Sequence, residues 1–157
     1  RGISVASITP QEAEDIYIIR AYLESVATYL AVKKQNLQVL SKLKKLHNRM
    51  IKVAARENVS SYFNLNLQFH ETLLNACENR RLIQLIDSFV KQTMLYRIEA
   101  AKVSDWMKSS LENHQTLIQL FESGDAQKAE RVRKNMILKN LQRFYPKSKE
   151  EKNENRS

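Results

Sequence analysis

Helix breakers are almost absent from this chain of 157 residues, whose only prolines are Pro10 and Pro146 and whose only glycines are Gly2 and Gly124. Strands need turns, and turns draw on glycine, proline, asparagine and aspartate. Between the two prolines a single glycine interrupts the chain. The sequence therefore predicts an all-helical domain.

Local signals divide it. Thr9, Pro10 and Glu12 make an N-cap, a first helical position and a capping box. The helix they start carries Ile16, Ile19, Leu23, Ala27 and Leu30 on its predicted apolar face. A second helix runs from about Asn36 to Ala55, with Leu40, Leu43, Leu46, Met50 and Val53 inward. RENVSS breaks the pattern, and Ser60 or Ser61 caps a third helix that ends at Asn79 as a left-handed C-cap. The fourth starts near Arg81 and shows Leu82, Leu85, Ile86, Phe89, Thr93 and Tyr96; a kink or loop follows around Ala101 to Asp105. The fifth carries Trp106, Leu111, His114, Ile118 and Phe121. Ser123-Gly124 stops it, and Asp125 caps a sixth with Ala129, Val132, Met136, Leu141 and Phe144. Residues 9–145 thus form one helical bundle, and the apolar-poor stretch 146–157 reads as a disordered tail.

Hydrophobic residues are 43% and charged residues 27%, which places the chain with ordinary globular domains. No apolar run approaches the roughly 20 residues of a membrane span. The opening RGISVASITP has no long apolar region, and the single cysteine, Cys77, lies on an apolar stripe and reads as a small buried hydrophobe. These features fit a cytoplasmic protein. The net charge of +9 raises the question of a nucleic-acid partner. The lysines are spread along helices with no basic cluster among exposed aromatics, so they read as solvated faces.

Two histidines stand where helical spacing puts apolar side chains. One stripe is Phe63, Leu67, His70, Leu74, Cys77; the other is Leu111, His114, Ile118, Phe121. A buried imidazole needs a hydrogen-bond partner or a metal, since leaving it unpaired costs roughly 1–3 kcal/mol. Asn66 and His70, four apart, share a face. With His114 from another helix they can hold a divalent metal (zinc, nickel or iron), or they are core histidines bonded to neighbours. Arg20 falls on the stripe Ile16, Arg20, Leu23, Ala27. It either points inward to fork onto a carboxylate or pairs with Glu24, four residues on. Tyr96 and Arg97 can line the same cavity or sit at an edge. His47, at the margin of its helix's apolar face, reads as surface or edge; Met50, Met94 and Met107 read as core or interface fillers. No Glu-x-x-His pair, glycine-rich phosphate loop or glycine-flanked serine is present, so no enzyme is indicated.

The order RGISV, IYIIRAYLESVATYLA, YFNLNLQFHETLLNACENRRL and ENHQTLIQLFESGDAQKAE resembles the effector-binding FCD domain of GntR-type transcriptional regulators, in the FadR branch. The resemblance runs from Arg1 to about Phe144. Its most specific pieces are Arg20-x-x-Leu-Glu24, Phe69-His70 after Asn66, and His114 followed by Gly124-Asp125. It implies an antiparallel bundle of about six or seven helices, a homodimer, and a small carboxylate effector inside the bundle, with Arg20 the first candidate to hold it. It also implies that residues 1–8 end a linker from a winged helix-turn-helix domain, through which alone DNA would be met. Many members bind a metal through an Asp and three His. Those positions match Asn66, His70, His114 and Met136, so two ligands are kept and two are changed. Alternatives are a metal-dependent enzyme at His70 and His114, and a structural helical dimer without ligand.

Overall fold

Thr9 starts the first helix by the predicted capping box: its hydroxyl accepts the Glu12 amide, and its own amide donates to the Glu12 carboxylate at 2.6 Å. The computed structural model describes residues 8–103 and 105–144, the side chains of 143 and 144 excepted. The expected tail, and the expected linker but for Ile8, lie outside the described residues. Among the described residues there are seven helices and no strand: α1 Pro10–Lys34, α2 Leu37–Ala54, α3 Val59–Asn75, α4 Arg80–Gln92, α5 Met94–Ala101, α6 Trp106–Ser123 and α7 Ala126–Phe144.

α1 is the axis of the bundle. It packs along α7 and also meets α3, α4 and α6. Ala13, Ala21, Ala27, Ala31 and Thr28 are wholly buried along it, and small side chains let neighbours approach closely. Being covered on several sides, α1 does not have a single apolar stripe. Ile19, expected inside, is 42% exposed, while Arg20 and Glu24 point in. Leu85, expected on the inner face of α4, is 53% exposed for a different reason: only a narrow stripe around Ile86 meets α1.

α2 follows its predicted pattern. Leu40, Leu43, Leu46 and Met50 are buried against α3 and α6, with Val53 partly covered. They join Tyr62, Phe69, Leu73, Leu117 and Phe121 in the main core. Cys77 is buried there too, as expected.

Three boundaries differ from expectation. Asn58, not Ser60 or Ser61, caps α3, its side-chain oxygen accepting the Ser61 amide at 2.9 Å. Glu78, not Asn79, holds the left-handed turn after α3 (φ 56), and Asn79 instead caps α4 through the Leu82 amide at 3.1 Å. The expected fourth helix is two, broken at Thr93. The Thr93 hydroxyl donates back to the carbonyl oxygens of Phe89 (3.0 Å) and Val90 (3.3 Å), a competition that bends helices.

Gly124 ends α6 as expected, with φ 71. A Cβ there would stand 2.3 Å from Nε2 of Gln35, the residue that ends α1. The Gln35 amide can swing away, so the backbone conformation sets the cost. Gly124→Ala should lower stability by about 1–2 kcal/mol, the penalty of a left-handed non-glycine residue. Urea titration checks this, and an unchanged midpoint would contradict it.

Candidate functional site

A buried charged layer crosses the bundle where α1, α5 and α7 meet. Glu24 of α1 is 1% exposed. Arg20, one turn earlier, donates to its Oε1 from Nε at 2.9 Å and from Nη2 at 2.7 Å. Nη1 of Arg20 donates to the Thr93 hydroxyl at 3.0 Å, so the α4–α5 break is itself part of the layer. From α7, Nη2 of Arg133 donates to Oε2 of Glu24. Burial alone would raise the Glu24 carboxyl, but Arg20 and Arg133 outweigh it and hold it down at about 2. Both readings of Arg20 are thus realised at once: it points inward, and its carboxylate is Glu24. Arg97 of α5 lies beside them, and burial, with Arg20 next, pulls it down to about 10. Three guanidiniums face one carboxylate.

Beside this layer, Nε2 of His70 on α3 lies 3.1 Å from Nε2 of His114 on α6. One ring donates and the other accepts, so the accepting ring is neutral. Burial pushes both well below the ordinary histidine range, and the Arg133 charge adds to it. Neither Nδ1 has a hydrogen-bond partner. The His114 ring packs on Phe69 at 4.2 Å between centroids. His47 does not sit at the surface. It is 6% exposed and meets His114 edge-on at 6.4 Å, because the margin of α2 is covered by α6. Asn66 Oδ1 accepts from the Ser110 hydroxyl at 3.4 Å.

A cavity of about 60 Å³ is lined by Arg20, Asn66, His70, Arg97, His114 and Arg133, with Met136 and Trp106 in its wall. By the roughly 10–15 Å³ that one water needs, this holds a few waters or a small headgroup. A second cavity of about 220 Å³ lies towards α4, lined by Leu74, Ile86, Val90 and Met94 and bounded by Arg20, His70, Arg97 and Arg133. The charged layer therefore lies between two spaces. Tyr96, expected at the site, lines neither. Its hydroxyl donates to the Ile8 carbonyl at 3.1 Å, and its ring packs near Tyr17, Ala21 and Leu141.

Glu24, Thr93 and Arg133 were missed as site residues. Arg133 had left a signal: it stands on the buried stripe Ala129, Arg133, Met136, Ile137 of α7.

The family model described as the FCD domain matches residues 15–138, from the first turns of α1 into the last turns of α7. The chain belongs to the FCD domain family. FCD domains are the effector-binding domains of GntR-type transcriptional regulators. No curated protein matches the chain, and no solved structure does.

The metal that the family resemblance implies does not fit the residues present in this FCD domain. The matching positions bring together two imidazoles, an amide and a thioether. Among the described residues no group of three or more His, Cys, Asp or Glu is placed to hold a metal ion. Asn66 brings no charge to balance a divalent cation, and the Met136 thioether is a poor ligand for zinc or nickel. Arg133, Arg97 and Arg20 all act on His70 with positive charge, which opposes a cation at that ring.

Proposed function

We propose that this FCD domain is the effector-sensing and dimerisation part of a cytoplasmic GntR-type regulator of the FadR branch. Its effector is a small carboxylate bound in the chamber between α1, α3, α6 and α7. The observation that carries the reading is the excess of buried positive charge: Arg20, Arg97 and Arg133 all line one cavity, while Glu24, bonded to Arg20 and Arg133, brings one carboxylate against three guanidiniums. An unbalanced buried charge is costly, and an incoming anion relieves that cost. The histidine pair and Asn66 add polar atoms to the same wall. Among the described residues no helix is long and apolar enough to cross a membrane.

Binding acts on DNA through differential affinity for two bundle geometries. In a dimer this changes the spacing of the attached DNA-binding domains, and spacing decides which half-sites are reached. A second copy has a surface to meet. Ile18, Ile19, Tyr22 and Val26 are exposed on α1, Leu85 on α4, and Leu95 and Ile98 on α5. α1 packs on α4, and α4 on α5.

A thermal-shift series of carboxylates against their amides tests the sensor reading. A carboxylate at 100 times its dissociation constant should stabilise the domain by about 2.7 kcal/mol, and its amide by far less. Sedimentation should show a dimer. Specific binding of this domain alone to operator DNA would count against the proposal.

A further inference from the structure

We propose that Arg133 supplies the positive charge that a metal ion would otherwise bring to this chamber, so that the site takes an oxyanion headgroup directly and rejects divalent cations. The inference rests on reading the chamber as an effector site.

Arg133 is 6% exposed and borders both cavities. Its Nη2 is committed to Glu24, while its Nε is buried without any hydrogen-bond partner. A buried N–H left unpaired is costly, and more so on a charged group. An oxyanion is the natural acceptor, because the bond is charge-assisted and a guanidinium edge matches the geometry of carboxylate and phosphate. Arg20 is not available in the same way. Its Nε, Nη1 and Nη2 are engaged by Glu24 and Thr93. The anion's second contact is Arg97, which lines the same cavity.

The same residue explains why a cation is refused. Met136 lies three residues after Arg133, so the two share one face of α7. A metal held by His70, His114 and Met136 would stand beside that guanidinium with no carboxylate free to screen it, since both oxygens of Glu24 are already bonded. The cavity of about 60 Å³ admits a headgroup and not a large body. Carboxylate and phosphate share this chemistry, and size separates them from bulkier ligands.

Calorimetric titration of the whole chain tests this with acetate, citrate, inorganic phosphate, zinc chloride and nickel chloride as separate arms. Wild-type protein should bind one of the oxyanions and hold no stoichiometric zinc or nickel. Arg133→Lys keeps a cation for Glu24 but removes the Nε donor and the fork. It should weaken the anion at least tenfold while its melting temperature stays within a few degrees. The triple variant Asn66→Asp, Arg133→Met, Met136→His should gain about one zinc per chain. Zinc binding by the wild type that His70→Ala abolishes would overturn the inference, as would equal anion affinity in wild type and Arg133→Lys. No response to any oxyanion would overturn it too. An uncharged metabolite that stabilises the protein would then keep the sensor reading alive, whereas silence from charged and uncharged metabolites alike would end both.

Discussion

Glu24→Ala should destabilise the domain by about 3–5 kcal/mol, the usual cost of removing one partner from a buried ion pair. The reason is what remains. Arg20 and Arg133 would keep their charges at 4% and 6% exposure, with no carboxylate between them. For a domain of this size the loss corresponds to a drop in Tm of roughly 10–20 °C. Glu24→Gln should recover little, because the amide restores shape without charge. Adding Arg133→Met to Glu24→Ala should recover part of the loss, since it removes one of the two stranded cations. Because the residues touch, a double-mutant cycle should show a coupling of about 1 kcal/mol or more. A Glu24→Ala protein that melts within two or three degrees of wild type, by roughly the same conversion under 1 kcal/mol, would sink this account of the layer.

Acidification should be nearly as damaging. His70 and His114 are buried and neutral, with pKa values well below the ordinary histidine range. For a base depressed in the folded state, the unfolded chain binds the proton first. Stability is then complete above the ordinary histidine pKa and is lost as pH falls below it. Each such ring costs up to about 1.4 kcal/mol per pH unit. From pH 6.5 to pH 5 the two rings together remove up to about 4 kcal/mol. His47, lowered by burial against the opposing effect of Gln115, adds to the slope. Glu24 acts later. Its carboxyl is held at about 2, so its stabilisation is intact above the ordinary carboxylate range and is lost as pH falls from there towards 2. Urea midpoints at pH 7.5, 6 and 5 should fall steadily, and a His114→Asn variant should show a flatter slope. A midpoint that does not move over that range would contradict the burial of neutral rings.

Much of the fold was legible in the chain because helices are made of contacts three and four residues apart. The capping box at Thr9, the inward leucines of α2, the stop at Gly124 and the cap at Asp125 are all local, and all stand where the sequence puts them. So does the scarcity of glycine and proline that leaves only helices. The same local rule drew attention to His70 and His114, because a polar residue on an apolar stripe is visible without any partner.

What the tertiary structure alone decided is which stripe meets which. Periodicity says that Arg20 and Glu24 share a face; it does not say that the face turns inward while Ile19 turns out. The second cation on Glu24 comes from Arg133, 109 residues away. The hydroxyl that receives Arg20 comes from Thr93, 73 residues away. A charge inside a core is tolerable only when it is paired; Arg20 finds its carboxylate within α1, but the cation that completes Glu24 and the hydroxyl that completes Arg20 come from other parts of the chain, and no window of neighbouring residues carries that information. The helices and their ends are therefore written in the sequence, whereas the charged layer exists only because α1, α5 and α7 close around it.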